Sequence, residues 1–494
     1  MFLGDILVAH RLVTQADVKA AIEYQKREGG RIGDILVAQG KLRAEDLEAI
    51  MNGAPTAPRN LAETGLGLQT LLSLMIKAMY AGACDTPSSI AKYLKLADRP
   101  VQLLIEQAQQ RKLLDILGAT DGQAEVRYVL GEKGRRWAMD ALEQNQYVGP
   151  VPVSLANYID RIQRQRITNE RIDRAAIEQA FANLVIAETF IHQIGPAINS
   201  GRSMLLYGAP GNGKTTIAEK IGSIFEDVIY IPHCFEVEGQ IIKVFDPGIH
   251  QKVERTTAEG HSRALGLRRE DLDQRWVPCR RPFIVTGGEL TLEMLDLSFN
   301  SLAKFYEAPL HVKALGGTFV IDDFGRQLVK PEALLNRWIV PLESRVEYLK
   351  LHTGKSFSLP FDELVIFSTN LAPRDLMDPA FLRRIPYKLE ITAPNVDEYR
   401  LIFRGVSRAL GLEAADEVID YVIENMRRFG EMALAGYQPK FIVDQVIAAC
   451  KFEGIPAQYR PEFVDMALAN LNPRDPRPVT PPPAPVALVR RTGS

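Results

Sequence analysis

A glycine-rich loop between an apolar run and a helical pattern is the feature that most constrains the fold. Residues 208–215 read Gly208-Ala209-Pro210-Gly211-Asn212-Gly213-Lys214-Thr215, after the apolar residues 204–207 and before a helical pattern over 216–221. In that context glycines let backbone N–H groups surround a triphosphate, the lysine neutralises the outer phosphates and the threonine hydroxyl reaches Mg²⁺. The pattern predicts that the chain binds ATP or GTP with Mg²⁺. The predicted nucleotide-binding residues are Gly208, Pro210, Gly211, Asn212, Gly213, Lys214, Thr215 and Thr216.

Length and composition are those of an ordinary globular protein. The chain has 494 residues, of which 46% are hydrophobic and 24% charged, and a net charge of −2. This length allows about three domains, and the charge gives no global attraction to nucleic acid. Without a run of about 18 apolar residues or a signal-peptide pattern, we expect no membrane span and a cytoplasmic location. The four scattered cysteines predict free buried thiols.

Residues 1–53 contain an internal repeat. The sequence GDILVA at residues 4–9 recurs at residues 33–38, an offset of 29, and each copy leads into a second helical pattern. One copy is too small to bury its apolar face, so we expect two copies packed together as a minimal helical domain. Residues 52–58 then read as a linker.

Residues 61–148 predict a small α+β domain. Helical patterns cover residues 68–80, 87–96 and 100–114, a hairpin joins residues 113–117 to 126–130, and a helix over 132–143 closes the region. This order resembles a winged helix. The buried stripe of the third helix is predicted to consist of Val101, Leu104, Ile105 and Ala108.

In a DNA-binding winged helix, polar residues of the third helix read the major groove. Here those residues are Gln102, Gln109, Gln110, Arg111 and Lys112. However, residues 61–148 contain ten Lys or Arg and ten Asp or Glu, a balance without the basic footprint of a duplex binder. The charge pattern favours a protein-interaction role and leaves nucleic-acid binding as the alternative.

Residues 149–395 alternate strand-like runs, at 229–231, 283–286, 319–321 and 364–367, with helical patterns. This alternation implies an α/β domain with a mostly parallel sheet covered on both faces. Residues 396–472 read as helices only. Residues 473–494 include three consecutive prolines and predict a disordered tail.

Two of the apolar runs end in polar residues suited to phosphate chemistry. Residues 318–321 end in Asp322 and Asp323; in such a pair the first carboxylate holds Mg²⁺ and the second can polarise the attacking water. Residues 365–369 end in Asn370, and a segment over 378–384 with Arg383 and Arg384 follows. An acidic pair on its own is also a common strand end at a surface, but behind a phosphate-binding loop the functional interpretation is favoured.

In this order the motifs resemble the AAA+ ATPase module, over about residues 180–470. The resemblance implies a P-loop AAA+ core with a parallel sheet and a C-terminal helical lid, and a ring whose ATP sites lie between subunits. By position, it implies metal binding by Asp322, catalysis by Asp323, a sensor role for Asn370, an arginine finger at Arg383 or Arg384, and a second sensor at Lys440. The arginine pair is also typical of a solvated helix end, and Lys440 of a surface charge.

The sequence departs from the AAA+ pattern in two places. Asp323 stands where glutamate is commoner and is one methylene shorter, so we expect slow hydrolysis. Lys214 and Asp322 are 108 positions apart, which implies an insertion over about residues 233–317, with an extra strand at 241–246. The aromatic pair at 305–306 is predicted to be core on an apolar helix, so threading of polypeptide is not indicated.

The N-terminal repeat resembles the cyclic-di-GMP-binding N-terminal domain of type II secretion and pilus-extension ATPases. Its tandem motif begins with Arg-Leu-Gly and ends in glutamine. The first copy ends at Gln25 but starts with Phe2, whereas the second starts with Arg31 but has Ala54 at the glutamine position. Because arginine and glutamine are suited to hydrogen-bond phosphate and guanine edges, each copy lacks one polar end, and cyclic-di-GMP binding stays an open alternative.

Three functions are compatible with these features. The leading hypothesis is an ATP-hydrolysing AAA+ protein that forms a homo-oligomeric ring and remodels or regulates a protein partner. The second is a nucleotide-dependent assembly switch with little hydrolysis, and the third is a nucleic-acid-associated ATPase. Turnover separates the first two, and salt-sensitive DNA binding by residues 61–148 identifies the third.

Overall fold

The computed structural model describes residue 7 and residues 12–28, 32–43, 54–82, 84–118, 125–253, 272–376, 379–428 and 433–471. The chain divides into two compact units. The first contains Met1–Ala180, Ala187–Tyr207 and Lys214–Glu390; the second contains Phe181–Ile186, Gly208–Gly213 and Ile391–Ser494. The second unit thus combines most of the glycine-rich loop with the C-terminal helical region.

The N-terminal repeat is helical where the structure describes it. Helix α1 spans Gln15–Glu28 and helix α2 spans Ile32–Ala38. Leu7 and Leu36, which occupy equivalent positions in the two copies, are both fully buried in one small apolar cluster with Val18 and Ile35. Described residues of the two copies therefore share one apolar cluster. Phe2 and Arg31 lie outside the described residues.

Next come helices α3 (Leu68–Tyr80), α4 (Pro87–Leu94) and α5 (Asp98–Gln110), strands β1 (Leu114–Gly118) and β2 (Arg127–Leu130), and helix α6 (Glu132–Gln144). The two strands pair antiparallel, as the hairpin prediction requires; its turn lies outside the described residues. The predicted stripe of α5 is at most 3% exposed. Buried Cys234 and Ile241 share the apolar core of this region, so the core extends beyond the predicted boundary at residue 148.

Between residues 153 and 390 the elements follow in chain order: β3 (Val153–Ser154), α7 (Leu155–Arg164), α8 (Arg174–Phe181), α9 (Glu188–Ser200), β4 (Met204–Tyr207), α10 (Lys214–Ser223), β5 (Val228–Pro232), β6 (Cys234–Val237), β7 (Gln240–Lys243), β8 (Trp276–Arg280), β9 (Phe283–Thr286), β10 (Ser298–Asn300), β11 (Phe305–Glu307), α11 (Leu310–Lys313), β12 (Thr318–Ile321), α12 (Pro331–Arg337), α13 (Ile339–Ser344), β13 (Val346–Lys350), β14 (Ser356–Pro360), β15 (Leu364–Thr369), α14 (Pro373–Leu376), α15 (Pro379–Leu382) and β16 (Tyr387–Glu390).

Five of these strands form a wholly parallel sheet in the order β16-β4-β15-β12-β9. Every residue of β12 and β15 is buried, as expected for parallel strands with both faces covered. Ile321 pairs with Phe367, and Thr369 pairs with Tyr207. The carboxyl ends of β4, β15 and β12 therefore lie at one edge of the sheet, and this confirms the predicted α/β core.

The expectation that residues 229–231 belong to the parallel sheet is wrong. Strand β5 pairs antiparallel with β8 in a separate two-stranded sheet, and β9 takes the place beside β12. An apolar run predicts a buried strand but not its partner, because pairing depends on residues far along the chain.

The stretch predicted as an insertion, residues 233–317, does not form one separate block. Strands β6, β7, β10 and β11 join β3 in a second, mixed sheet of order β10-β11-β7-β6-β3, but β9 belongs to the parallel sheet. The predicted extra strand is present as β7. The aromatic pair at 305–306 is part of strand β11, so the helix predicted there is wrong, although Tyr306 is buried as expected.

The second unit contains four helices among its described residues: α16 (Val396–Ala409), α17 (Asp416–Arg428), α18 (Gln438–Phe452) and α19 (Pro461–Leu471). Asn395 and Glu398 form a capping box that begins α16. Residues of all four helices share an apolar cluster, which confirms the helical prediction. The predicted disordered tail, residues 473–494, lies outside the described residues.

Two compositional expectations can be compared with the structure. All four cysteines are buried and unpaired with one another. In the described part of the chain, no helix has both the length and the apolar character needed to cross a bilayer.

Candidate nucleotide site

The two predicted magnesium ligands are in hydrogen-bond contact within the first unit. Thr215 lies in the first turn of α10, and its Oγ1 donates to Oδ2 of Asp322 at 2.7 Å. Asp322 follows β12, and its backbone N–H donates to the Thr286 carbonyl on β9 at 2.7 Å. A hydroxyl and a carboxylate at this spacing are the hard oxygen donors that Mg²⁺ takes. The residues present therefore fit a magnesium ion.

The donor set is too small for an ion held by the protein alone. Among the described residues there is no group of three His, Cys, Asp or Glu side chains arranged for a metal ion. Mg²⁺ is commonly bound through one or two protein ligands together with substrate phosphates and water. Thr215 and Asp322 thus suit Mg²⁺ that arrives with a nucleotide.

Lys214 is the first residue of α10 and is only 7% exposed. Burial lowers the pKa of its ammonium group, whereas the nearby carboxylates of Asp322 and Asp323 raise it. The charged form of this ammonium group is therefore stabilised by its negative neighbours, and a bound phosphate would stabilise it further.

The predicted catalytic carboxylate and the predicted sensor residue also touch. Nδ2 of Asn370, the residue after β15, donates to Oδ1 of Asp323 at 3.1 Å. Asp323 has a φ of 48°, a left-handed conformation that aspartate adopts more readily than most side chains. Adjacent strands of the parallel sheet thus bring together residues 47 positions apart in the sequence.

Gln327 holds the turn that carries the two aspartates, a role the sequence did not reveal. Its Nε2 donates to the carbonyls of Asp322 at 3.0 Å and Asp323 at 3.3 Å, and its Oε1 accepts the Gly325 N–H at 2.8 Å. Its exposed fraction is 9%. Glutamine is common on surfaces, so nothing in the local sequence distinguishes this buried one.

The same turn is tied to the end of β15. The Phe324 N–H donates to the Ser368 carbonyl, and Thr369 Oγ1 donates to the Phe324 carbonyl, both at 2.7 Å. These bonds hold the turn beside the strand that ends at Asn370. Backbone and side-chain hydrogen bonds therefore fix where Asp323 lies.

The glycine-rich loop belongs to the second unit and depends on its glycines. Gly208, Gly211 and Gly213 have φ values of 143°, 79° and 83°, which side chains with a Cβ rarely adopt. A Cβ at Gly208 would lie 2.2 Å from the Ile391 carbonyl oxygen. Pro210 and Thr216, which are also predicted to bind the nucleotide, are both exposed.

Two residues before α18 bond to this loop. The Tyr437 N–H donates to the Gly211 carbonyl at 2.9 Å, and the Gly436 N–H donates to Asn212 Oδ1 at 3.2 Å. Lys440, the predicted second sensor, is 66% exposed and pairs with Asp444 on the next turn of α18, at 2.6 Å. The loop contacts of this segment thus come from positions that the sequence did not single out.

Arg383 and Arg384 lie in different environments, one exposed and one largely buried. Nε of Arg384 lies 2.7 Å from Oε1 of Glu343, and its side chain is 13% exposed. Its guanidinium also lies over the Phe381 ring, 5.5 Å from the centroid. Arg383 is exposed. Asp378, which opens the predicted motif, lies outside the described residues.

Comparison with known proteins gives remote likenesses. Residues 395–470 match a family described as a domain of unknown function, DUF8689. No curated protein matches the chain. Among solved structures, a RuvB mutant of Thermotoga maritima is 14% identical, with a TM-score of 0.32, covering 62% of this chain and 73% of that one.

Domain III of the replication initiation protein DnaA from Thermotoga maritima is similar at 13% identity and a TM-score of 0.33, covering 60% of this chain and 97% of that one. The parallel sheet, with the phosphate loop after β4 and the acidic pair after β12, is itself what the AAA+ resemblance implies. The chain therefore has an α/β core in which the glycine-rich loop follows β4 and the acidic pair follows β12 of one parallel sheet.

Proposed function

We propose that this chain is an ATPase of the AAA+ type, which binds ATP with Mg²⁺, hydrolyses it in a homo-oligomer and thereby regulates or remodels a protein partner. One observation carries the proposal. The Thr215–Asp322 contact and the Asp323–Asn370 contact lie at consecutive positions of one turn, so candidate metal ligands and candidate water-activating groups adjoin.

Each residue has a role that its chemistry permits. Thr215 and Asp322 would hold Mg²⁺, and Lys214 would neutralise the outer phosphates. When bound, Mg²⁺ would neutralise the negative charge that develops on the phosphoryl group during its transfer. Asp323 would orient and polarise the attacking water, and Asn370 keeps the Asp323 carboxylate in place by hydrogen bonding.

Arg383 is the better candidate for an arginine finger to a neighbouring subunit. An exposed guanidinium can reach another chain, whereas Arg384 is engaged with Glu343 of its own chain. We expect Arg383→Ala to lower turnover about 1,000-fold, since an arginine finger supplies stabilisation of that order in the transition state, with ATP affinity nearly unchanged. Arg384→Ala is the matched variant and should mainly lower thermal stability.

The primary experiment is steady-state ATP hydrolysis per subunit over a wide range of protein concentration, with Lys214→Ala as the blank. A rate per subunit that rises steeply with concentration supports sites completed by neighbours. A rate that is constant at all concentrations contradicts the shared site. If Arg383→Ala leaves turnover unchanged, the assignment of the arginine finger is wrong.

A nucleotide-dependent assembly switch is the second candidate, and one observation favours it. Asp323 has the shorter side chain, and its Oδ1 already accepts a hydrogen bond from Asn370, which limits its reach to a water. In a switch, ATP would drive assembly while hydrolysis stays negligible. Tight MgATP binding and nucleotide-dependent assembly, with turnover no higher than that of Lys214→Ala, would favour this function over the first.

The N-terminal regions supply candidate partner contacts. The charge balance of residues 61–148 favours a protein partner over DNA for the winged-helix-like elements. Each copy of the N-terminal repeat lacks one polar end of the binding motif. Titration with cyclic-di-GMP tests whether the repeat binds this ligand. A cytoplasmic location is part of the same proposal.

A further inference from the structure

The loop latch, which we define as Gly211, Asn212, Gly436 and Tyr437, joins the phosphate loop to the start of α18 inside the second unit. Its two hydrogen bonds run from backbone N–H groups at 436 and 437 to acceptors on the loop. The Tyr437 ring adds a close contact: a Cβ placed on Gly211 would lie 2.2 Å from Cδ1 of that ring. Gly211 therefore permits this approach by lacking a side chain.

The latch uses the groups of the loop that a phosphate does not need. It engages the Gly211 carbonyl and the Asn212 side-chain oxygen, both of which are acceptors. Phosphate is bound by the opposite kind of group, the backbone N–H donors. The latch can therefore hold the loop in shape without competing for the nucleotide.

The turn that carries the latch is itself anchored. Gln438 is 3% exposed, its Oε1 accepts the Ala435 N–H at 2.8 Å, and its Nε2 donates to the Ala433 carbonyl at 2.9 Å. These bonds bracket Gly436 and Tyr437 from both sides. The Tyr437 ring thus approaches the loop from a defined backbone rather than from a loose segment.

We propose that Tyr437 is a positioning residue for the phosphate loop, and that Tyr437, rather than Lys440, links nucleotide binding to the helical region of residues 396–471. This inference rests on the proposed nucleotide binding. Lys440 has the positive charge expected of a sensor, but its ammonium group forms an ion pair with Asp444. Tyr437 contributes no charge and acts through the shape of the loop.

Calorimetric titration with MgADP tests the assignment in the full-length protein. Tyr437→Ala should weaken binding about tenfold, because the ring no longer supports the loop. Tyr437→Phe should restore affinity to within about twofold, because the latch uses the ring and the backbone N–H but not the hydroxyl. Lys440→Ala, at an exposed position on the same helix, is the matched control and should bind like the wild type.

Thermal unfolding separates positioning from general destabilisation. Without nucleotide, Tyr437→Ala should unfold close to the wild type, since its side chain is 47% exposed. With MgADP its stabilisation should be smaller than that of the wild type, since at a given ligand concentration a weaker ligand stabilises the folded protein less. Equal MgADP affinity for Tyr437→Ala and wild type, or a loss confined to Lys440→Ala, would overturn the proposal.

A double-mutant cycle isolates the ring contact. Gly211→Ala introduces backbone strain at φ 79° in any background, but it collides with the ring only while Tyr437 is present. The loss of MgADP affinity caused by Gly211→Ala should therefore be several-fold smaller in the Tyr437→Ala background, and strictly additive losses would contradict the contact. Failure of the proposed function gives a different result, because the wild type itself would then not bind MgADP.

Discussion

Two pairs of consecutive acidic residues lie at opposite ends of neighbouring strands in the parallel sheet, and their environments differ. Asp322 and Asp323 follow β12; Asp322 bonds Thr215 and Asp323 bonds Asn370. Asp362 and Glu363 precede β15, and Glu363 is fully buried, with neither carboxylate oxygen hydrogen-bonded among the described residues. Burial raises the pKa of Glu363 well above its usual value, and Glu347 and Asp362 raise it further against the effect of Arg345.

The chemistry open to an acidic pair thus depends on whether the pair lies at the carboxyl end or at the amino end of its strand. In open α/β sheets ligands bind outside the carboxyl ends of the strands. At that end Thr215 of α10 and Asn370 supply hydrogen-bond partners for the two carboxylates. At the amino end Glu363 has no hydrogen-bond partner among the residues that the structure describes, and its burial favours the neutral form over the charged one.

The largest expected effect distinguishes the two pairs by turnover. We expect Asp323→Asn to lower the ATPase rate at saturating MgATP about 100-fold or more, since it removes a general base. Glu363→Gln should leave that rate within about twofold of the wild type, because its side chain is buried away from the nucleotide groups. Steady-state kinetics check both. A comparable loss of turnover in Glu363→Gln, in a variant that remains folded, would show that the comparison is wrong.

A smaller effect is expected at Gln327, which holds the turn of Asp322 and Asp323. Gln327→Ala should lower turnover about tenfold and the free energy of unfolding by about 1–2 kcal/mol, because the carbonyls of Asp322 and Asp323 and the Gly325 N–H lose a hydrogen-bond partner. Its exposed neighbour Arg326, replaced by alanine, is the matched control. Turnover and urea unfolding are measured on both variants. If Gln327→Ala loses stability but retains full turnover, the residue supports the turn without positioning Asp323.

The smallest effect concerns the pH dependence of stability at Glu363. A carboxyl whose pKa is raised on folding stabilises the fold below its unfolded pKa, and that contribution is lost as pH rises through the folded pKa. The free energy of unfolding of the wild type should therefore fall, relative to Glu363→Gln, as pH rises above about 4.5. Below that pH the difference should be constant.

Urea unfolding at a series of pH values checks this expectation. The informative quantity is the slope of the difference between the two proteins with pH, because the glutamine amide brings donors of its own that shift the absolute value. A difference that stays flat across this range would mean that Glu363 is ionised in the folded protein. The acidic pairs would then differ in position but not in charge.

Much of the site could be predicted because its signals are local. Residues 208–215 encode the loop through glycines whose conformations other residues avoid, and the aspartates follow directly from an apolar strand. The helical character of the region after residue 395 is likewise predicted from the sequence alone. Gln327, Tyr437 and the Arg384–Glu343 pair were not, because glutamine, tyrosine and paired charges occur on any surface, and their roles arise only from partners brought close by folding.

The sequence by itself determined the strand–loop–helix element, the acidic pair after β12 and the helical character of the C-terminal region, since each depends on residues within about a dozen positions of one another. Only the tertiary structure decided that β9 rather than β5 lies beside β12, that Asn370 touches Asp323, and that Tyr437 covers Gly211. These contacts join residues tens to hundreds of positions apart. They depend on how strands pair and side chains pack, which no local pattern specifies.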